Sequence, residues 1–229
     1  MRTIVLFTAL LLFTATAIAE DTASADGFVS LFNGSDLTGW DGDPHIWTVT
    51  DGVIIGETTP EKVIKNASYI TSTATIPDNF HFKITFRMSG DGSNSGVQFR
   101  SKQLPNWDTY GYQADVDESG QWTGCLFHHK RGAVVKRGFV DAIDDDKERT
   151  SVPFGDPAEL IKAYKKGDWN DYEILANGSV IVLKINGQLM CAVDDRHASE
   201  AAKSGIIALQ IHPPKPMKIE FKNIKVKAL

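Results

Sequence analysis

Three short segments of the chain carry polar side chains at alternate positions between apolar ones: residues 96–100, 110–116 and 207–212. Because the side chains of a β-strand point alternately to its two faces, each segment presents one pair of polar groups on one face. The pairs are Gln98 with Arg100, Gln113 with Asp115, and Gln210 with His212. Amides combined with an arginine, an acid and a histidine suit a neutral, hydroxyl-rich ligand. We therefore expect all six side chains to share one hollow of a curved sheet.

Each charged member of this set has a chemical role and a plainer alternative. Asp115 or His212 could act as a general base or bind a metal ion, although a charged or exposed strand end would have the same sequence. Arg100 offers a planar fork of donors that suits a pair of hydroxyls or a developing oxyanion. The three glutamines are predicted to hold substrate hydroxyls.

Aromatic residues in polar surroundings extend the candidate site. Trp107 and Trp122 lie in segments rich in Asn, Gly and Ser, where an exposed indole can stack on the apolar face of a sugar ring. The other three tryptophans are expected in the core. Tyr110 is assigned to substrate binding. At most one of the adjacent His128 and His129 can face the groove, and we assign His129.

Several catalytic motifs do not occur in the sequence. It contains no G-x-S-x-G nucleophile elbow, no H-E-x-x-H zinc motif and no Walker loop or dinucleotide fingerprint. A retaining glycosidase needs two carboxylates about 5–5.5 Å apart. The Glu-x-Asp-x-x-Glu strand that supplies them in β-sandwich glucanases is missing here. Ordinary hydrolysis by paired acids is therefore disfavoured.

The first residues and the overall charge indicate an exported, mildly acidic protein. The chain has 229 residues and a formal net charge of -5. Arg2, the apolar run 4–13 and the small-x-small site Ala17-Ile18-Ala19 are typical of a signal peptide cut after Ala19. We therefore expect a secreted or periplasmic protein with no membrane contact after cleavage. The basic residues are scattered, which argues against nucleic acid as a partner.

The two cysteines, Cys125 and Cys191, lie in apolar, strand-like segments. Export would permit a disulfide between them, but sequence does not fix the required approach of their Cα atoms. We favour two separate buried thiols. Two cysteines without suitably spaced histidines do not make a zinc site.

Strand signals dominate the chain after the N-terminal segment. Residues 80–88 alternate apolar and polar without error. Asp51-Gly52, Asn177-Gly178 and Asn186-Gly187 each predict a tight hairpin turn. About twelve short strands result from this pattern. The predicted fold is all-β, a sandwich of two antiparallel sheets with one short helix.

Two further segments complete the predicted organisation. A helix is predicted from Asp156 to about Tyr164, with Asp156 as its cap and Pro157 at its first position. The acidic stretch 140–155 is expected to be an exposed loop. Residues 20–27 are expected to be a flexible N-terminal segment, and residues 28–229 to form a single domain.

Sequence blocks along the whole mature chain resemble the 3-keto-disaccharide hydrolase domain family, long classed as a domain of unknown function. The opening block, residues 28–40, contains Leu31-Phe32-Asn33-Gly34 and ends at Gly39-Trp40. Matching blocks follow in family order at residues 47–52, 94–100, 111–115, 168–170, 185–187, 205–212 and 221–226. The departure is the proline-rich segment 211–216, where many relatives have an acidic or glycine-containing turn. The resemblance implies a concanavalin A-like jelly-roll sandwich in a secreted, sugar-directed protein.

The resemblance further implies cleavage of 3-keto-glycosides. A ketone at carbon 3 of a sugar acidifies the hydrogen on carbon 2. When a base removes that hydrogen, the charge moves to the ketone oxygen, the group on carbon 1 is expelled, and water addition completes net hydrolysis. This route needs one base, one oxyanion stabiliser and one acid. Asp115 or His212 is assigned as the base, with Arg100 or a divalent metal stabilising the enolate.

Several alternatives stay open at this stage. An Asp115–His212 pair could bind the metal instead of acting as base. A separate sugar 3-oxidase could supply the ketone to an oligosaccharide or glycoside substrate. The same groove could belong to a non-catalytic carbohydrate-binding module, since function resides in the site rather than in the fold. A purely structural sandwich would expose an apolar patch and have no sugar affinity.

Overall fold

A computed structural model describes residues 26–229. The predicted signal peptide and most of segment 20–27 lie outside these residues. The elements, in chain order, are β1 (Val29–Ser30), β2 (Trp40–Asp41), β3 (Trp47–Thr50), β4 (Val53–Thr58), β5 (Ser68–Ser72), β6 (Phe80–Ser89), β7 (Asn94–Leu104), β8 (Asp108–Asp117), β9 (Leu126–His128), β10 (Gly132–Val135), β11 (Phe139–Ile143), β12 (Arg149–Pro153), α1 (Pro157–Leu160), a 3-10 turn (Ile161–Ala163), β13 (Asn170–Asn177), β14 (Val180–Ile185), β15 (Gln188–Asp195), β16 (Ile206–Ile211) and β17 (Met217–Ala228).

The strands form two sheets. A ten-stranded sheet has the order β12-β11-β15-β14-β13-β6-β17-β4-β3, with β1 paired to β17. A seven-stranded sheet has the order β10-β9-β8-β7-β16-β5-β2. Strand pairs in the described residues are antiparallel apart from β11 with β15, which is parallel. The predicted two-sheet sandwich with one short helix is therefore confirmed, with one parallel pair that the sequence pattern did not indicate.

The core lies between the sheets and follows from strand alternation. On β6, Phe80, Phe82, Ile84 and Phe86 are buried, whereas the residues between them are partly exposed apart from Thr85. Phe99 of the opposite sheet meets Phe80 edge to face, with ring centroids 6.3 Å apart. Burying each such side chain stabilises the fold by roughly 1.5–3 kcal/mol.

Local sequence signals correctly located most turns and the helix. Hairpins occur at Asp51-Gly52 and Asn186-Gly187, as predicted. The Asp156 side chain caps the helix by accepting a hydrogen bond from the Ala158 N–H at 2.8 Å. The helix is shorter than predicted, because its last turn, from Ile161 to Ala163, is 3-10.

The prediction of a loop over residues 140–155 was wrong. Most of this stretch belongs to the antiparallel pair β11 and β12, at the edge of the ten-stranded sheet. All five residues of β12 are exposed, which explains why the sequence lacks the apolar alternation of a half-buried strand. The acidic residues form the turn, where Asp144 Oδ1 accepts hydrogen bonds from the N–H groups of Asp146 and Glu148.

Cys125 and Cys191 are both buried and free, so the prediction of two separate thiols is confirmed. At the N-terminal edge of the fold, the Asp26 carbonyl accepts a hydrogen bond from Lys227 Nζ at 2.9 Å. Within residues 26–229, no helix is long and apolar enough to cross a membrane.

A bend in the β7–β8 hairpin shapes the outer face of the seven-stranded sheet. The register shifts between Phe99 and Lys102, where Arg100 has a φ of 46°. Opposite the bulge, a Cβ on Gly111 would lie 2.3 Å from Ser101 Oγ, so only glycine allows this close approach. The hairpin tip reaches across to β5, where the Trp107 carbonyl accepts a hydrogen bond from the Tyr69 N–H at 2.8 Å. The bend therefore adds a wall to that face of the sheet.

Candidate functional site

A cavity of about 770 Å³ lies on the outer face of the seven-stranded sheet. Side chains of β8 and β16 form part of its polar lining: Gln113, Asp115 and Gln210. Trp122 and Phe127 contribute an apolar part, and His129, His212 and Lys65 also line it. A volume in this range is typical of small-ligand sites.

Strand register brings these polar side chains together. Gln113 of β8 lies opposite Gln98 of β7, and Gln210 of β16 lies opposite Tyr69 of β5. The position between Asp115 and Gln210 is occupied by Gly96. A Cβ there would come within 2.6 Å of Gln113 Cγ. The missing side chain at Gly96 therefore makes room for Gln113 to reach both neighbours.

A chain of hydrogen bonds joins the polar groups of this lining. Gln98 Nε2 donates to Gln113 Oε1 at 2.7 Å. Gln113 Nε2 in turn donates to Asp115 Oδ1 at 2.7 Å and to Gln210 Oε1 at 3.1 Å. Gln210 Nε2 donates to the Tyr69 hydroxyl oxygen at 2.7 Å. These bonds fix the orientation of each amide and leave the second carboxylate oxygen of Asp115 free of this chain.

Asp115 is the strongest acid–base candidate in the cavity. Its side chain is buried at 7 % exposure, yet the residue lines the cavity. Burial raises the pKa of Asp115 to about 7, with a smaller contribution from the Asp117 carboxylate, against the lowering effect of the Gln113 amide. A carboxylate with this pKa exchanges protons near neutral pH, which suits a general base or acid.

Arg100 does not lie in this cavity, and the prediction that it shares a face with Gln98 was wrong. Its guanidinium points away, donating to the Asp78 carbonyl at 2.7 Å and to the Gly178 carbonyl at 2.8 Å. The cause is the bulge, because a residue with a positive φ breaks the two-residue alternation on which the prediction depended. Arg100 ties the seven-stranded sheet to the loops of the other sheet.

The other predicted glutamines and histidines divide between lining and support. Gln98 is fully buried and donates a hydrogen bond to Gln113 from the neighbouring strand. Gln113, Gln210, His129 and His212 line the cavity, as predicted. His128 faces the interior instead, and its burial lowers its pKa to about 4.

Of the aromatic residues predicted to contact the substrate, only some line the cavity. Trp122 lines the cavity and is 37 % exposed, whereas Trp107 and Tyr110 lie outside the lining. Trp107 Nε1 donates to Asp41 Oδ1 at 3.3 Å, which holds the hairpin tip on β2. The Tyr110 hydroxyl donates to Glu200 at 3.0 Å, and its ring stacks on His129. The prediction that Trp107 and Tyr110 contact the substrate is therefore wrong for this cavity, because both side chains are held by other contacts.

Asp115 and His212 were predicted as a possible metal-binding pair, and the described residues supply no third ligand beside them. Both residues line the cavity. However, residues 26–229 contain no group of three or more His, Cys, Asp or Glu side chains arranged to hold a metal ion. His212 Nδ1 lies 2.5 Å from the Pro213 carbonyl oxygen. Since a carbonyl only accepts, Nδ1 carries the hydrogen, and Nε2 is the nitrogen available for proton exchange.

Sequence reasoning missed Tyr69, Lys65, Asp108 and Phe127 of the lining. Tyr69 lies on β5, a strand whose five residues are all buried. Its sequence reads as core, and its closeness to Gln210 follows from pairing across a separation of 141 residues. The alternation of Tyr69 with Ile70 is the one local signal, and it does not distinguish a site from a core.

A second cavity, of about 490 Å³, lies on the ten-stranded sheet. Its charged groups are already engaged with one another. Glu173 accepts from His81 at 2.7 Å and pairs with Lys83 at 3.4 Å, and Asp171 accepts from Thr85 at 2.7 Å. We therefore place the candidate active site on the seven-stranded sheet.

The two-sheet sandwich with an amide-and-carboxylate cavity defines a jelly-roll protein with a polar site for a small ligand. The chain belongs to the family of 3-keto-alpha-glucoside-1,2-lyase-like domains, whose sequence profile matches residues 27–227. This match confirms the resemblance found in the sequence blocks. No functionally curated protein matches the chain at a significant level.

Solved structures with the same fold include both enzymes and binding modules. A proposed glycosyl hydrolase of Parabacteroides distasonis ATCC 8503 is 20% identical, with 90% of this chain and 95% of that chain covered and a TM-score of 0.58. Carbohydrate binding module CBM66 from Bacillus subtilis is 16% identical, with 83% and 96% covered and a TM-score of 0.55. Bacillus licheniformis β-glucanase is 13% identical, with 88% and 97% covered and a TM-score of 0.50. These likenesses confirm the jelly-roll fold.

Proposed function

We propose that this protein is an exported enzyme that cleaves 3-keto-glycosides by proton abstraction, elimination and hydration. The observation that carries the proposal is Asp115, a buried carboxylate in a sugar-sized cavity with a pKa raised to about 7. The family description supports the reaction class. Export rests on the signal-peptide pattern that ends at Ala19.

Asp115 takes the hydrogen from carbon 2 of the keto sugar. A carboxylate of ordinary pKa would be a weak base, whereas burial raises that of Asp115 to about 7 while leaving it about half ionised at neutral pH. The Gln113 amide, 2.7 Å away, holds one carboxylate oxygen. The other oxygen then serves as the proton acceptor.

His212 is assigned to protonate the leaving oxygen on carbon 1. Its ring is exposed and lines the cavity, where it can reach the leaving oxygen. Its Nε2 is free because Nδ1 donates to the Pro213 carbonyl. Once the leaving group has departed, water adds to carbon 1, and the net result is hydrolysis.

The rest of the lining suits a glycoside. Gln113 and Gln210 present amides to hydroxyls, while Trp122 and Phe127 offer apolar surface to a ring face. Arg100 is removed from the mechanism, because its donors are committed to Asp78 and Gly178. The enolate would then be stabilised by a donor of the lining itself, or by a divalent metal ion held there by Asp115 and His212.

The test is mass spectrometry of products from a 3-keto-disaccharide, with the unoxidised disaccharide in parallel and with and without chelator. The proposal expects cleavage of the keto sugar alone by wild-type protein, and loss of that cleavage in Asp115→Asn. The exposed Asp145→Asn is the matched control and should leave the rate unchanged. Equal cleavage of the unoxidised disaccharide would contradict the proposal and favour a paired-acid glycosidase that uses Asp108, the other carboxylate of the lining. Binding of either sugar without any product would instead assign the chain as a carbohydrate-binding module.

A further inference from the structure

The Tyr69 hydroxyl is held by hydrogen bonds at the wall of the cavity. The residue is 1 % exposed, yet it lines the cavity beside Gln210. Gln210 Nε2 donates to the hydroxyl oxygen at 2.7 Å, and His129 Nε2 lies 3.3 Å from the same oxygen. The direction of the contact with His129 decides what the hydroxyl hydrogen can do.

The backbone of Gly111 contacts the ring of His129 and bears on its tautomer. The Gly111 N–H points at His129 Nδ1 at 3.2 Å, with the geometry of a donor. The Gly111 carbonyl, also 3.2 Å from Nδ1, already accepts the backbone N–H of His129. Because the Gly111 carbonyl already accepts one N–H, we assign Nδ1 as the acceptor of the Gly111 N–H and place the hydrogen of the neutral ring on Nε2, from where it is donated to Tyr69.

With this tautomer the oxygen of Tyr69 accepts two hydrogen bonds, and its own hydrogen is not engaged by either of them. Thr109, whose buried oxygen has no other partner, is close enough to lower the pKa of Tyr69 and is the protein group that competes for this hydrogen. Buried donors are nearly always satisfied in proteins. The open side of Tyr69 is the cavity, so a ligand oxygen there can accept this hydrogen in place of Thr109.

We propose that Tyr69 donates this hydrogen bond to the ketone oxygen of the substrate and so stabilises the enolate that Asp115 generates. This inference rests on the proposed function. In the step, the C2–H bond breaks and its proton goes to Asp115. The electron pair forms the bond between carbons 2 and 3, and the former ketone oxygen takes the negative charge. When the pair returns and expels the group on carbon 1, Tyr69 has kept its proton throughout.

The geometry places the base and the donor at the two ends of one rigid bridge. Gln113 contacts Asp115, Gln210 contacts Tyr69, and the two amides contact each other at 3.1 Å. A substrate that lies over this bridge meets the carboxylate at one end and the hydroxyl at the other. Burial raises the pKa of Tyr69 to about 12, so the phenol stays protonated and acts as a donor at any working pH. Lys65, the cation of the lining, is exposed and hydrated, which makes it a weaker partner.

The test compares Tyr69→Phe with Tyr164→Phe, which removes a hydroxyl that lies outside the cavity lining. With a 3-keto-disaccharide, Tyr69→Phe is expected to lower kcat by about 10²–10³-fold, with little change in KM. Deuterium uptake at carbon 2 from heavy water should fall in parallel, because exchange passes through the same enolate. Tyr164→Phe should keep both rates. Retention of more than a third of kcat in folded Tyr69→Phe would overturn the inference.

A second variant covers the case in which Tyr69→Phe does not fold. Replacing Tyr69 by a fluorinated tyrosine keeps the shape and lowers the pKa of the phenol. The rate should then fall at a lower pH than in the wild-type protein, since an ionised phenol cannot donate. If the rate fell at the same alkaline pH as in the wild-type protein, the inference would be overturned. Failure of wild-type protein to cleave the keto sugar would instead sink the proposed function, so the two failures are distinguishable.

Discussion

The Nε2 atom of Gln113 lies 2.7 Å from Oδ1 of Asp115, two residues further along β8. Both side chains project from the same face of the sheet, and the amide holds the carboxylate from the side. The same nitrogen reaches Gln210 at 3.1 Å, so one amide orients a carboxylate and couples it to the neighbouring strand. This arrangement makes Asp115 the residue on which the first predictions depend.

The rate of keto-sugar cleavage should depend on the ionisation of Asp115. Because burial raises its pKa to about 7, the basic form accumulates only as the pH rises through that value. We expect kcat/KM to increase through pH 7 and then level off. Asp115→Asn should lower kcat by at least about 10²-fold and abolish this rise of kcat/KM with pH. If kcat/KM of Asp115→Asn still rose through pH 7, the base would be another residue. His212→Ala would then be the next variant to measure.

Asp115 should also destabilise the folded protein at high pH. Its folded pKa of about 7 is above the ordinary 3.8, so the folded state binds the proton more tightly than the unfolded state. The cost of burying the charge is therefore absent below pH 3.8, grows between pH 3.8 and 7, and is complete above pH 7. Asp115→Asn should then stabilise the protein at pH 8 by at most about 4 kcal/mol and have little effect near pH 4. Urea unfolding at the two pH values measures this, and equal effects at both would contradict it.

The absence of a side chain at Gly96 should be essential for the site. A Cβ there would lie 2.6 Å from Gln113 Cγ, so Gly96→Ala must displace the amide that holds Asp115. We expect the folded Gly96→Ala variant to have a kcat lower by more than about 10-fold. We also expect it to be less stable than the wild-type protein. The double variant Gly96→Ala with Gln113→Ala should recover part of that stability, because the clash with Gln113 is gone while the contact with the Ala114 carbonyl oxygen at 2.9 Å remains. Simple additivity in urea unfolding would show that the clash is relieved in another way.

Arg100 should matter for stability and not for chemistry. Its buried guanidinium donates to the carbonyls of Asp78 and Gly178, so Arg100→Ala leaves these acceptors without their partner. We expect a loss of about 2–3 kcal/mol in unfolding free energy, with kcat per folded molecule unchanged. Thermal unfolding together with active-site titration separates the two effects. A large loss of kcat at unchanged stability would return Arg100 to the catalytic site.

The comparison of Arg100 with Gln113 shows what strand alternation can and cannot predict. Gln113, Asp115 and Gln210 lie on uninterrupted stretches of strand, so the two-residue period correctly assigned them to one face. Arg100 lies in a bulge without glycine, and nothing in its local sequence indicates the positive φ that turns it inward. Tyr69 was missed because its contact with Gln210 depends on which strands become neighbours, and local pattern carries no information on that.

Asp117 should control substrate binding through the loop that carries Trp122. One carboxylate oxygen of Asp117 accepts the backbone N–H of Trp122 at 2.8 Å and that of Thr123 at 2.8 Å. Asp117→Ala removes these bonds, so the loop loses its fixed conformation and the indole its position at the cavity. We expect KM for the keto sugar to rise about 2–10-fold, close to the effect of Trp122→Ala, because stacking on an aromatic ring contributes roughly 0.5–1.5 kcal/mol. The pH at which kcat/KM levels off should fall slightly, since the Asp117 carboxylate contributes to the raised pKa of Asp115, whereas burial, the larger cause, is kept. Trp169→Phe, on the other sheet, is the matched control. Steady-state kinetics of the four proteins checks the prediction, and a change confined to kcat in Asp117→Ala would show that Asp117 acts on Asp115 rather than on Trp122.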